Sequence, residues 1–287
     1  MIQQLTYSIH EVIPYINWPY FDYAWGVGSK GKKERDQLRQ EAQQRLLVLA
    51  EKYHTYALFG LFDANSDGDD IVLWKDAAEG QPAEQIRIPF LRQQKPVRKG
   101  EPSLCLSDFL RPLSMGQTDT IGVFATSVEH SIETDADNEP YSKMMAQTLA
   151  DRLAEATAER MHEEVRRQYW GYAPHEQLSI QQLHIEAFQG IRPAVGYPSL
   201  PDTSINFILS DLIGMKRIGI RLTESGMMVP HASVSGLMIS HPKARYFDIG
   251  KIGEDQLKDY ARRRGIPVEM ARRFLSSFIS HPLSDKS

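Results

Sequence analysis

Cysteine is nearly missing from this sequence, for Cys105 stands alone among 287 residues. An internal disulfide is excluded, and a reducing compartment such as the cytoplasm is expected. Long apolar runs are missing too. No uncharged stretch reaches membrane-spanning length, and Met1-Ile2-Gln3-Gln4-Leu5-Thr6 has neither the basic region nor the apolar core of an export signal. Neither export nor insertion into a membrane is expected. An excess of one charge is also lacking: 33 basic residues face 37 acidic ones, a net charge of −4, which gives no general electrostatic reason for nucleic acid or an anionic membrane to be a partner. There is no H-E-x-x-H, no C-x-x-C and no nucleophile elbow, and the nine histidines are scattered without metal-ligand spacing. Zinc hydrolysis, thiol redox chemistry and serine acyl transfer therefore have no sequence support.

What is present is ample material for a core, since 41% of the residues are apolar. Residues 12 to 25 are crowded with aromatics and contain two prolines, which predicts an irregular segment laid over the core. A helix is predicted from about Glu34 to Tyr53, with Leu38, Ala42, Leu46, Leu49 and Tyr53 on one face. Strands are predicted at Tyr56 to Phe62, Ile71 to Trp74, Ile86 to Phe90 and Thr120 to Ala125, with a polar loop over Gln94 to Pro102. A long helix follows from about Ser142 to Tyr169, carrying Met145, Leu149, Leu153 and Ala156 on its apolar face and continuing through Met161 and Val165. Beyond it come a helix near Ile205 to Ile213 and strands near Ile218 to Thr223, Ala232 to Ser240 and Arg245 to Ile252. Two helices, Asp255 to Arg264 and Val268 to Ile279, are separated by Gly265 as a stop. Helices and strands are interspersed without strict βαβ alternation, which predicts an α+β fold on a largely antiparallel sheet.

Three stretches imitate known sites. Gly26-Val27-Gly28-Ser29-Lys30-Gly31-Lys32-Lys33 satisfies G-x-G-x-x-G but follows no βαβ-type strand, and Lys33 stands where a phosphate loop needs a hydroxyl. It reads as a basic turn into a helix. Asp63-Ala64-Asn65-Ser66-Asp67-Gly68-Asp69-Asp70 resembles a calcium loop, yet its twelfth position is Trp74 rather than a bidentate Glu, so a hairpin turn is the expectation. His162-Glu163 reads as a surface pair on the long helix.

Gln189-Gly190-Ile191-Arg192-Pro193-Ala194-Val195-Gly196-Tyr197-Pro198, Leu222-Thr223-Glu224-Ser225, Ala232-Ser233-Val234-Ser235-Gly236 and His241-Pro242-Lys243-Ala244-Arg245-Tyr246-Phe247 together resemble the S-adenosylmethionine (AdoMet)-binding activation domain at the C-terminus of cobalamin-dependent methionine synthase. The resemblance extends from Ile16-Asn17-Trp18 through Gly60-Leu61-Phe62-Asp63, Ala150-Asp151-Arg152-Leu153-Ala154-Glu155 and Tyr169-Trp170-Gly171-Tyr172 to Asp259-Tyr260-Ala261. It implies one domain over residues 1–287: a single C-shaped domain with a bent, largely antiparallel sheet flanked by helices.

It also implies function. Arg192 matches the arginine that binds the methionyl carboxylate of AdoMet, Gly196 lets the backbone turn around the ligand, and Tyr197 forms a wall. Ala194 offers backbone groups beside the adenosine, Glu155 matches a carboxylate at the site, and Tyr246 matches the first member of a Tyr-Tyr pair near the nucleoside. Two positions depart from the family pattern. Asn17 replaces an Asp that meets the ligand's ammonium group, and Phe247 replaces the second tyrosine, so weaker AdoMet binding is expected. Val229-Pro230-His231 also stands where Trp-Pro-Gly is common. The D-x-H-x-x-G cobalamin signature and a cysteine set for homocysteine are both absent, so this chain alone is not a complete synthase; what the resemblance implies is a partial function, presenting AdoMet to an oxidised cobalamin held by a truncated methionine synthase on another chain, with flavodoxin or a similar reductase supplying the electron. The alternative is an AdoMet-sensing or scaffold protein of the same fold without methyl transfer.

Overall fold

A computed structural model describes residues 2–28, 31–75, 84–94, 100–134 and 139–279. The chain forms two compact units, each assembled from separated stretches: unit 1 from Met1–Gly60, Phe124–Phe188 and Leu209–Ser235, and unit 2 from Leu61–Val123, Gln189–Ile208 and Gly236–Ser287. Its main sheet has six strands in the order β4-β3-β2-β5-β8, with β1 also paired to β2. The strands are β1 (Ile2–Ser8), β2 (His54–Asp67), β3 (Asp70–Lys75), β4 (Glu84–Pro89), β5 (Asp119–Val128) and β8 (Ser233–Met238), and a small separate ladder joins β6 (Arg221–Leu222) to β7 (Met228–Val229). The β1–β2, β2–β3 and β3–β4 pairs are all antiparallel, as the α+β expectation requires.

In unit 1, β1 pairs the first half of β2 from Ile2↔Gly60 to Ser8↔His54. The helices are α1 (Ile9–Val12), α2 (Trp18–Ala24), α3 (Lys32–Ala50), α4 (Ser131–Thr134), α5 (Pro140–Glu164) and α6 (Ile180–His184), with α7 (Ile205–Ile213) entering at Leu209. The aromatic segment over residues 12 to 25 is helical rather than irregular. Its prolines do not oppose this, because Pro14 and Pro19 occupy the first turns of a 3-10 turn and of α2, where an amide hydrogen has no helical partner to lose. In α3, Ala42 and Leu46 are fully buried, as their spacing predicts. Met145, Leu149, Leu153, Ala156, Met161 and Val165 are likewise buried along α5 and its continuation. Glu139 caps α5 by accepting from the Ser142 amide at 2.8 Å. Its end loosens into a π-turn at Val165–Tyr169 and stops at Gly171, whose φ is +71°.

His162 is not on the surface. It is fully buried, and its Nδ1 accepts from Arg166 Nη1 at 2.8 Å. The buried Arg166 in turn clasps Glu176 (Nη2 to Oε1 2.6 Å) and lies 4.2 Å over the Phe188 ring. A buried guanidinium with a carboxylate and an imidazole to receive its hydrogens escapes the cost of an unpaired charge. The charged residues around His162 hid this inward turn.

In unit 2 the second half of β2 and β3 form a hairpin whose last pair is Asp67↔Asp70, leaving Gly68-Asp69 as a two-residue turn with Gly68 at φ +61°. The acidic stretch that imitates a calcium loop is answered by arginines. Arg87 donates to Asp70 at 2.8 Å and Asp67 at 2.6 Å, Arg92 to Asp69 at 2.8 Å, and Arg263 to Asp70. Helix α8 (Glu254–Arg264) ends on Gly265 at φ +67°, and α9 (Val268–Phe274) is shorter than predicted, its tail forming a 3-10 turn at Ser276–Phe278.

Two predicted strands differ. Ile218 closes a 3-10 turn at Met215–Ile218, so only Arg221–Leu222 is extended there. Arg245 to Ile252 is not a strand, although Phe247 and Ile249 alternate inward and Ile252 is buried three residues on. Its amides bond singly, Ile249 to Pro198 O at 3.3 Å and Ile252 to Phe278 O at 2.8 Å, while Gly250 turns at φ +70°. Alternation recorded the buried side, not a ladder. Of the glycine-rich turn, Ser29 and Lys30 lie outside the described residues, as do positions 95–99 of the predicted polar loop.

Candidate functional site

The sequence-predicted residues of unit 2 form one loop and its support. Gly190 has φ +86°, and a Cβ there would sit 2.3 Å from the carbonyl oxygen of Ile239, so only glycine permits this approach. The next residues run antiparallel to the chain leaving β8. Ile191 and Ile239 exchange amide hydrogen bonds of 2.9 and 3.0 Å, Leu237 donates to Pro193 O at 3.0 Å, and Ala194 bridges Gly236. At Gly196, φ +92°, the chain folds back: its amide donates to Leu200 O at 2.8 Å and the Leu200 amide to Tyr197 O at 2.8 Å. The nearest atom to a Cβ on Gly196 would be Thr203 Cγ2 at 3.9 Å, so its positive φ, rather than crowding, is what calls for glycine.

A second segment braces this loop. The Tyr246 hydroxyl accepts from the Arg192 backbone amide at 2.9 Å, and the Ile249 amide reaches Pro198 O. Arg192, Ala194, Gly196, Tyr197 and Tyr246 are thereby brought into one assembly. Arg192 is half-buried while Tyr197 is 57% exposed, so one loop carries both a fork of planar donors and an open aromatic side chain. Those groups suit a carboxylate next to a flat or apolar body. Phe247 is different. It is only 8% exposed, whereas Tyr246 is 37% exposed.

In unit 1 the predicted residues lie on two helices. Asn17 is the N-cap of α2, and its side chain makes no capping hydrogen bond. Glu155, half-buried on α5, receives both guanidinium arms of Arg152 at 2.7 and 3.1 Å. Arg152 also lies 5.8 Å over the Tyr20 ring. Sequence reasoning named Glu155 but missed the arginine one helical turn before it, whose spacing was the available signal. Asp22, the carboxylate closest in sequence to Asn17, is no substitute for the missing acid: it is buried and clasped by two donors of Arg39.

Elsewhere in unit 1 a pocket of about 340 Å³ is lined by Tyr56, Glu129, His130, Arg217 and apolar neighbours, and contains none of the predicted residues. Among the described residues no group of His, Cys, Asp and Glu could hold a metal ion, and no helix is long and apolar enough to cross a membrane. Cys105 is buried, and burial pushes its thiol up to about 11, so it is protonated at neutral pH.

Comparison with known families decides what this loop belongs to. Residues 8–265 match the family described as vitamin B12 dependent methionine synthase, activation domain. The chain belongs to this family. A crystal structure of the MetH reactivation domain bound to AdoHcy is similar to it with a TM-score of 0.90 and 37% identity, over 98% of this chain and 91% of that one. The activation-domain fold is thus present along nearly its full length. Within it, the loop that carries Arg192 and Tyr197 is preceded by Gly190 and turns at Gly196, both at positive φ.

Proposed function

We propose that this activation-domain protein binds AdoMet and, in the cytoplasm, supports the reductive reactivation of a cobalamin-dependent methionine synthase carried on a separate, truncated chain. Both compact units then serve as one functional domain over residues 1–287. The observation that supports the reading is the loop that carries half-buried Arg192 and exposed Tyr197, braced by the Tyr246 hydroxyl on the Arg192 amide, in a chain similar to a reactivation domain that was crystallised with AdoHcy.

The chain's own residues act by binding and orientation. Arg192 takes the methionyl carboxylate as a bidentate partner, Gly196 and Ala194 offer backbone groups to the nucleoside, and Tyr197 and Tyr246 wall it. In unit 1, Asn17 and Glu155 are assigned to the ligand by resemblance alone. When bound, AdoMet supplies an electrophilic methyl group, and one electron from flavodoxin or a similar reductase balances its transfer to the cobalamin of the partner chain. No nucleophilic side chain is needed.

Calorimetric titration should show one AdoMet site per chain. An absence of both heat and thermal shift at millimolar AdoMet would refute the binding. The partnership is tested by methionine formation from a cob(II)alamin synthase lacking its own activation domain, with AdoMet and reduced flavodoxin. Turnover should return only when this protein is added, and equal recovery without it would leave the AdoMet-sensing reading in its place. That second reading rests on Asn17 and Phe247, the latter only 8% exposed.

A further inference from the structure

The Gly196–Leu200 turn is exposed at Gly196, Tyr197 and Pro198, yet both of its ends are fixed. At the far end Leu200 is buried, and Pro201 joins it rigidly to Asp202, a carboxylate only 2% exposed. One oxygen of Asp202 has an ordinary local use, accepting from the Ser204 amide at 2.8 Å as the chain turns toward α7. The other oxygen has no local partner. It accepts from the hydroxyl of Tyr260 at 2.6 Å and lies 3.6 Å from Nε of Arg264. Both come from α8, and Arg264 also donates to the Ser204 hydroxyl at 2.9 Å. Tyr260 is 1% exposed, so water does not compete for this contact.

We propose that Asp202, gripped by Tyr260 and Arg264, is the positioning residue for the ligand loop, and that α8 thereby sets its affinity for the nucleoside part of AdoMet. The inference rests on the AdoMet reading above. Its physical basis is that a buried carboxylate must keep its donors. Asp202 therefore cannot drift from α8, and Leu200, two residues away, cannot drift from Asp202. The 2.8 Å bond from the Gly196 amide to Leu200 O passes that constraint to the turn. Helix α8 is itself anchored, through Gln256 to Arg92 O at 2.8 Å and Arg263 to Phe90 O at 2.9 Å.

The test uses the full chain with Tyr260→Phe, which keeps the buried ring and removes the donor. Titrations with AdoMet and with 5′-methylthioadenosine, which lacks the amino-acid end, should both weaken by about tenfold, the scale of one charge-assisted hydrogen bond. Amide exchange at Gly196 should accelerate by a similar factor. Arg192→Ala is the contrast, weakening AdoMet while leaving methylthioadenosine unchanged. If Tyr260→Phe melts earlier but binds both ligands as the wild type does, with Gly196 exchange unaltered, Asp202 is a stability residue only and the proposal is overturned. Should that variant not fold, Asp202→Asn, which preserves volume and the bond from Ser204, is subject to the same two titrations and the same exchange measurement. If the wild type itself binds neither ligand, the AdoMet reading fails and takes the affinity claim with it, whereas Gly196 exchange still reports whether Tyr260 anchors the turn.

Discussion

The ligand residues assigned to unit 2 and those assigned to unit 1 are specified in different ways. In unit 2 the backbone does the work: Gly190 and Gly196 at positive φ, paired amides to Ile239 and Leu200, and a phenol on the Arg192 amide fix the loop atom by atom. In unit 1, Asn17 and Glu155 are side chains on α2 and α5, one without a capping bond and the other held by Arg152. A geometry built from backbone tolerates few substitutions but leaves clear marks in the sequence. One built from side chains on helices can change a residue without disturbing the fold, and Asn17 in place of the family's aspartate is such a change.

The contrast can be broken most forcefully at Gly190. Gly190→Ala adds a Cβ that collides with Ile239 O at a strained φ, and should cost about 3 kcal/mol of stability, read as a lower denaturation midpoint. A midpoint shifted by no more than that of an ordinary surface substitution would show that the loop is not backbone-specified. Arg192→Ala comes next. It should weaken AdoMet roughly tenfold to a hundredfold, for the loss of about 1.5–3 kcal/mol, and leave the melting temperature nearly unchanged. Unit 1 offers the sharper half of the comparison, since Asn17→Asp should tighten AdoMet by about tenfold, or roughly 1.4 kcal/mol, with no structural penalty at an N-cap. An unchanged constant would place the ammonium group away from position 17. The smallest effect is expected at Phe247→Tyr. Restoring the family hydroxyl to a buried ring should cost about 1 kcal/mol of stability without improving affinity, and a clear gain in AdoMet binding would place position 247 at the ligand.

Where periodicity was long, the fold was legible in the sequence. Helix α5 buries the residues its spacing selects, α3 buries Ala42 and Leu46 while Leu38 and Leu49 are half-buried and Tyr53 lies beyond its end, and Gly265 stops α8 in the left-handed conformation. Short segments misled for identifiable reasons. Pro14 and Pro19 suggested broken structure because a proline's position within a helical turn is invisible until the turn is placed. The apolar residues Phe247, Ile249 and Ile252 reported burial, but a strand also needs a neighbour to pair with, and the Ile249 and Ile252 amides found separate carbonyls instead. At the site, Arg192, Gly196 and Tyr197 were visible as a contiguous motif. The roles of Gly190, Arg152 and Asp202 were not, because each depends on what the fold brings close: Ile239 O, Glu155 and Tyr260.

The interleaving of the two units has a consequence for how the chain is made. Unit 1 needs Leu209–Ser235 and unit 2 needs both Gln189–Ile208 and Gly236–Ser287, so neither is complete when the first 188 residues have left the ribosome. Unit 1 can close only once the chain has been made as far as Ser235, and unit 2 only after the stretch that begins at Gly236. For the same reason, a protease cutting near Gly60 or Val123 would free no segment able to refold by itself.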